Sequence, residues 1–299
     1  MKIEKKPSYL VGLIGAGIQA SLSPAMHEGE GDRRGLRYMY RLMDLDLLDL
    51  GAEPLPQLLD AAQVSGFCGL NITHPCKQSV IPLLDELSDN AAAIGAVNTV
   101  VFKDGRRIGY NTDCWGFEQN MRENLDSARK HDVVLLGAGG AGAAVAHALM
   151  HLGTDHLHVH DLDPGRVEGL VEALSRRFGP GRASAVADLG QAMDRADGIV
   201  QATPMGMAHY PGLPLPAALL KSSHWVAEIV YFPLETELLL LAHRLGCRCV
   251  DGRGMAVHQA ARAFRLFTGV DANATDMLHD FDALVALQAG HPAASTSMA

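Results

Sequence analysis

Apolar and polar positions along the chain fall into two successive series of short apolar runs separated by helix-like stretches. YLVGLIG (9–15), RYMYRLMDL (37–45), GLNIT (69–73) and AVNTVVF (96–102) are apolar or β-branched runs of strand length, and PLPQLLDAAQ (54–63) has helical spacing. Residues up to about 110 therefore read as an α/β unit. After Trp115 the pattern restarts: a helix over Trp115–Asn124, the strand HDVVLLG (131–137), an Ala-rich helix ended by Gly153, and the strand DHLHVHDLD (155–163). A helix from Pro164 to Phe178, a strand near ASAVA (183–187), a helix near LGQAMDRAD (189–197) and the strand GIVQATP (198–204) follow. WVAEIVY (225–231) and CRCVD (247–251) extend the series. That β-α-β-α-β succession predicts a doubly wound parallel sheet. Two closing helices, 255–269 and 274–290, are expected to return to the first unit, and the small polar tail HPAASTSMA (291–299) to be disordered.

Composition narrows the function classes. The chain has 299 residues, 48% of them hydrophobic, enough for two domains with their own cores. The expected division is residues 1–113 with 255–299 as a substrate-binding domain and 114–254 as a dinucleotide-binding domain. A net charge of −9 with no basic tract excludes a nucleic-acid partner. No apolar stretch reaches the roughly 20 residues that span a bilayer, and MKIEKKPSYLVGLIG lacks a signal-peptide pattern, so a soluble cytoplasmic protein with no membrane partner is expected. Five cysteines without CxxC spacing read as reduced thiols; Cys76, beside Lys77, is read as a buried or incidental one.

Two glycine loops compete as cofactor sites. VGLIGAGIQASLSPAMHE (11–28) has Gly15, Gly17 and Ala20 in GxGxxA spacing, with Asp44 downstream; VVLLGAGGAGAAVAHAL (133–149) has Gly137, Gly139 and Gly142 in GxGxxG spacing. A dinucleotide needs glycines that admit the pyrophosphate, a helix N-terminus facing it, and an acid about 20 residues on for the ribose. The second loop has all three, with Asp161 closing the next strand. The first runs into Ser21, Leu22, Ser23 and Pro24, so its helix begins only at Pro24 with Ser23 as N-cap. The candidate cofactor residues are Gly137, Gly139, Gly140, Ala141, Gly142 and Asp161. A carboxylate at Asp161 accepts ribose hydroxyls and repels a 2′-phosphate, which predicts NAD over NADP; Arg166, one turn into the next helix, is the residue that could soften that preference.

Three polar segments interrupt the apolar pattern: GLNITHPCK (69–77), GAVNTVV (95–101) and GYNTDCWG (109–116). Asn71 and Thr73 share one strand face with Lys77 just beyond, while Asn111 and Asp113 sit where the two units join. A lysine and an aspartate that meet in an interdomain cleft form a proton-transfer pair. Taken separately, Lys77 also reads as a solvated helix-start lysine and Asp113 as the N-cap of the helix at Trp115.

These segments, with SLSPAMHE, GAGGAG, QATPMGM, the YFP of VYFP and DGRGMAVHQAARAF, run in order from residue 21 to 264 and resemble the shikimate dehydrogenase family, close to its quinate/shikimate dehydrogenases. The resemblance implies an NAD(P)-dependent oxidoreductase of the chorismate pathway or of quinate catabolism, with a Rossmann nucleotide domain. Its partner would be a cyclic polyhydroxy carboxylate, oxidised at a ring hydroxyl, and the protein would act as monomer or homodimer. It further implies that Lys77 and Asp113 are the catalytic pair. Ser21, Ser23, Thr73, Asn98, Tyr231 and Gln259 would hold the substrate, and Thr203, Met205 and Met255 would lie near the nicotinamide. Gln259 has separate support, being the one polar member of the helix face Met255, Gln259, Ala263, Phe267. NADP-using members often carry an Asn-Arg-Thr-like run where this chain has HDLD. Some quinate-accepting relatives have Thr at the position of Ser23.

Other readings stay open at this point. An amino-substituted substrate such as aminoshikimate or aminoquinate fits the same motifs, and a nucleotide-sensing regulator would keep the fold without the chemistry. A methylenetetrahydrofolate dehydrogenase/cyclohydrolase would want a YxxxK pair that the first domain lacks. His147 and His151 stand at i and i+4, and His156, His158 and His160 share a strand face, but without HExxH or a nearby cysteine no metal is expected.

Overall fold

The computed structural model describes residues 6–49 and 54–290; the tail expected to be disordered lies outside them. The first sheet is built from β1 (Ser8–Gly15), β2 (Arg37–Asp44), β3 (Gly69–Ile72), β4 (Glu86–Leu87), β5 (Thr99–Lys103) and β6 (Arg106–Tyr110), in the order β2-β1-β3-β5-β6-β4. Its helices are α1 (Ser23–Arg33), α2 (Leu55–Val64), α3 (Cys76–Ser79) and α4 (Asp89–Ile94). β1 pairs in parallel with β2 and β3, whereas β5 runs antiparallel to β3 and β6. The strand β6 and the two-residue β4 were not predicted. RRIGY has only one apolar residue between its charged start and glycine, too weak a pattern to register against the loop that precedes α5 (Thr112–Leu125).

The second sheet is wholly parallel and reads β12-β11-β10-β7-β8-β9, from β7 (Asp132–Leu136), β8 (His156–His160), β9 (Ala183–Ala185), β10 (Gly198–Gln201), β11 (Trp225–Glu228) and β12 (Arg248–Val250). The helices α6 (Gly140–His151), α7 (Pro164–Phe178), α8 (Leu189–Arg195) and α9 (Glu237–Leu245) complete it. Strand order reverses between β7 and β10, and the crevice outside that switch point is where such sheets bind ligands. Val133, Val134, Leu135, Ile199 and Val200 are fully buried, as a strand covered on both faces requires.

The expected domain boundaries fall inside α5 and α10 (Gly252–Thr268), which cross closely; α11 (Ala274–Gly290) packs on α10 and α1. The crossing depends on two glycines. A Cβ at Gly116 would lie 2.7 Å from the Met255 carbonyl oxygen and 2.8 Å from the Gln259 nitrogen, and one at Gly254 would run into the Asn120 side chain. One further expectation needs correcting: the cap of α1 is Leu22, not Ser23, which is the first helical residue and donates its N–H to Ser21 Oγ at 3.3 Å. No side chain caps Leu22; Ser21, one residue before it, accepts only the first helical N–H.

Candidate active site

The polar segments of the first domain converge. Lys77 Nζ donates to Asp113 Oδ2 at 2.6 Å, with side chains only 17% and 9% exposed. Asp113 is free for this because the N-cap role belongs to Asn111, whose side chain accepts the Cys114 N–H and donates to the Ala96 carbonyl. The second carboxylate oxygen, Oδ1, accepts from Asn98 Nδ2 at 2.8 Å. Asn98 also accepts from the Thr112 N–H at 2.7 Å, so its amide is spent on aiming Asp113 and on the turn into α5. Lys77 itself is anchored through its backbone, where its carbonyl accepts the Val97 N–H at 2.8 Å.

A hydrogen-bonded chain extends from this pair. Tyr40 Oη donates to Asn71 Oδ1 at 2.8 Å, Asn71 Nδ2 donates to Thr99 Oγ1 at 3.0 Å, and Thr99 Oγ1 donates to Asn98 Oδ1 at 3.1 Å. Ser23 sits against the Tyr40 hydroxyl, which burial raises above the ordinary tyrosine pKa. Thr73 closes on the end of β1: its N–H donates to the Ile14 carbonyl, and a Cβ at Gly15 would run into its methyl. Ser21 is held in the same turn by its N–H to the Ile18 carbonyl at 2.9 Å. Tyr231 is 38% exposed overall, and burial first and the Asp113 carboxylate second raise the pKa of its hydroxyl. Gln259 accepts weakly from Thr112 Oγ1 at 3.4 Å and gives one amide proton to Ala256 O, so its helix satisfies part of it. Tyr40, Thr99 and Thr112 were not among the candidates, whereas Asn71 was marked only as a polar residue on the strand face of Thr73. The alternation of β2, which buries Tyr38, Tyr40 and Asp44 while exposing Arg37, Met39 and Arg41, is the signal that marks Tyr40.

The second glycine loop has a cradle's geometry. Gly137 adopts φ +102°, and a Cβ there would sit 2.6 Å from the Ala202 oxygen; a Cβ at Gly142 would run into the Gly137 carbonyl. A Cβ at Gly139, by contrast, would meet nothing within 4 Å, which leaves room for a ligand against the backbone. Gly139 caps α6 with no side-chain bond, and no acidic residue stands in that first turn, so the amides of Gly140, Ala141 and Gly142 are available to an anion. Asp161 Oδ2 accepts the Ala138 N–H at 2.7 Å and Oδ1 the Asp163 N–H at 2.9 Å. Arg166 is exposed and pairs with Asp163 at 3.4 Å. Thr203 and Met205 belong to a loop gathered by the buried Gln201, which donates to the carbonyl oxygens of both. Met255, 7% exposed, packs in the core cluster that contains Ala138 and Val200. These residues fit a dinucleotide.

The first loop is occupied by its own chain. Asp44 Oδ1 accepts the N–H groups of Gly17 and Asp46, and Oδ2 accepts from the Ile18 N–H and Gln19 Nε2, at 3.0–3.2 Å. Burial works against this charge, yet the four donors together hold the Asp44 pKa below the ordinary value. The two units touch at the chemistry: a Cβ on Gly140 would lie 3.6 Å from Lys77 Cβ and Cδ. Concave sites of about 320 Å³ beside Arg129 and Arg248 and about 240 Å³ beside Asn120 and Arg253 include neither Lys77 nor Asp113. Cys76 is fully buried, and burial raises its thiol pKa. His147 is buried, while His158 pairs with Asp132 at 2.8 Å; among the described residues no His, Cys, Asp or Glu group of metal-site size occurs.

Residues 13–100 match the family model for the shikimate dehydrogenase substrate binding domain, and 252–279 that for the shikimate 5′-dehydrogenase C-terminal domain. A shikimate dehydrogenase (NADP(+)) of Streptomyces avermitilis is 58% identical over 91% of this chain and 94% of that protein. The chain belongs to the shikimate dehydrogenase family. It is thus an NAD(P)-dependent oxidoreductase acting on a CH–OH group, with the two α/β domains and Rossmann nucleotide domain of that family. A quinate/shikimate dehydrogenase (NAD(+)) of Corynebacterium efficiens is 48% identical over 92% of this family member and 98% of the relative. The solved structure of quinate dehydrogenase from Corynebacterium glutamicum in complex with NAD superposes with TM-score 0.86 at 45% identity, over 93% of this chain and 100% of that one. Among the described residues no helix is long and apolar enough to cross a membrane.

Proposed function

We propose that this chain interconverts shikimate and 3-dehydroshikimate, accepts quinate as a secondary substrate, and uses NAD in preference to NADP. The observation that carries the reaction is the 2.6 Å contact of Lys77 with Asp113 at the end of a neutral hydrogen-bonding chain. In the oxidation direction the ring hydroxyl gives its proton to Lys77 Nζ as the free amine, forming the ammonium, and in reduction that ammonium returns it. Asp113 orients the lysine and balances its charge, and Asn98 holds Asp113 in turn. A bound nicotinamide dinucleotide supplies the hydride acceptor. Ser21, Ser23, Thr73, Tyr231 and Gln259 are the donors and acceptors for the substrate's carboxylate and remaining hydroxyls; Gln259 keeps one amide hydrogen for that purpose beyond its bond to Ala256.

Support for NAD comes from charge. A 2′-phosphate beside Asp161 would face a second carboxylate, Asp163, and Arg166 is already paired to Asp163. The Streptomyces relative, named for NADP(+), makes the cofactor the point most worth testing. The test is kcat/KM at 340 nm for shikimate and quinate, each with NAD and with NADP. The shikimate and NAD combination is expected to be highest. A higher value with NADP would overturn the cofactor reading; turnover of neither acid, despite NAD binding, would overturn the reaction.

A further inference from the structure

Glu228 ends β11 and is 2% exposed, yet no step above uses it. It stands in register with Gln201 on the neighbouring strand, and the two buried side chains divide the loops at this end of the sheet between them. Gln201 gathers residues 203–205. Glu228 Oε1 accepts the Val230 N–H at 3.0 Å, and Oε2 accepts from the Thr236 hydroxyl at 3.0 Å. Thr236, 1% exposed, also caps α9 by accepting the Leu239 N–H. One side chain therefore grips both ends of the segment 229–236. Gly206 of the adjoining loop, at φ +93°, lies against the same point, where a Cβ would be 3.2 Å from Thr236. The gripped segment carries Tyr231 across to the first domain, where its ring meets Phe281 edge-on at 6.1 Å and its hydroxyl lies in the field of Asp113. Besides the grip, the Ile229 N–H donates to the Gln201 carbonyl at 3.1 Å where the segment begins, and the ring contact with Phe281 meets Tyr231 itself.

We infer that the Glu228–Thr236 clasp is the positioning device for Tyr231, so that Glu228 sets affinity for the cyclic acid without contacting it. Burial pushes the Glu228 carboxyl up to about 8, a cost kept inside the fold in exchange for a fixed loop. The inference rests on the substrate role proposed for Tyr231.

The test is a double-mutant cycle read as separate KM and kcat values. Glu228→Ala should raise KM for shikimate about 10-fold, the scale of one lost positioning hydrogen bond, with KM for NAD changed less than about twofold. Glu228→Gln should stay near wild type, because the amide offers Val230 N–H an acceptor and Thr236 Oγ1 a donor. In a Tyr231→Ala background, Glu228→Ala should add almost nothing to the shikimate KM. If Glu228→Ala does not fold, Thr236→Val removes the same hydrogen bond and enters the same cycle. Multiplying single effects, or a proportional rise in KM for NAD, would overturn the clasp alone. Absence of wild-type turnover would overturn the proposed reaction and this inference with it.

Discussion

Replacing Lys77 by Ala changes two quantities that can be measured separately. The pair is neither a surface ion pair, worth about 0–1 kcal/mol, nor a fully buried one, where losing a partner costs about 3–5 kcal/mol. At 17% and 9% side-chain exposure, and with Asn98 still donating to Asp113 Oδ1, a loss of about 2 kcal/mol is expected, a fall of about 4 °C in Tm for a chain of this size. Most of that loss comes from leaving the Asp113 charge without its cation, not from the lysine stem. Adding Asp113→Asn removes the stranded charge while preserving an acceptor for Asn98 Nδ2. The double variant should therefore regain most of the lost Tm at pH 7.5. Turnover should behave differently: Lys77→Ala should lower kcat by about 10²- to 10⁴-fold, the range for a lost general base, and the double variant should not recover it. The assay is thermal unfolding beside steady-state rates at 340 nm for wild type, both single variants and the double. If the double variant is no more stable than Lys77→Ala, the loss does not come from a stranded Asp113 charge, and the electrostatic account of the pair is wrong.

Three other outcomes are expected. Asp161→Ala should raise KM for NAD several-fold and change KM for NADP less; equal responses would sink the charge argument for selectivity. Gly142→Ala, which forces a methyl into the Gly137 carbonyl, should abolish cofactor binding in a fluorescence titration, and wild-type affinity would show that the loop does not hold the pyrophosphate. His147 is buried with neither ring nitrogen hydrogen-bonded, and burial lowers its pKa from 6.5 to about 4. The unfolded chain binds that proton more readily between those values, so stability falls as pH drops below 6.5, by up to about 2 kcal/mol at pH 5. His147→Leu should be relatively more stable at pH 5 than at pH 7.5 by that amount; an unchanged gap between the two proteins would mean that the native histidine accepts a proton without penalty.

Legibility in the sequence tracked the range of the interactions. The glycine loop at 137–142, its helix and Asp161 are a local pattern, and a strand, a turn and an acid at the next strand end suffice to find them. Lys77 and Asp113 stand out as polar residues in apolar surroundings, but their contact is made between segments 36 residues apart. The chain from Tyr40 through Asn71 and Thr99 to Asn98 was not visible for the same reason, because its links join residues 31 and 28 apart. Short elements failed for a different reason. β4 has two residues and β6 a weak alternation, and both form because neighbouring strands supply hydrogen bonds. The helix α1 starts one residue earlier than the Pro24 position suggests, with Ser23 inside it and its N–H accepted by Ser21 Oγ, a contact between side chain and backbone that residue type alone does not show.

A Cβ on Gly140 would stand 3.6 Å from Lys77 Cβ and Cδ, so this one glycine separates the second glycine loop from the lysine. A side chain at that position acts as a shim: alanine fits at ordinary contact distance, while a longer one must displace Lys77 or Ala96. A graded series at residue 140 is therefore expected to move Lys77 by degrees relative to the glycine loop, and the rate would report that spacing together with any effect on the loop's own amides.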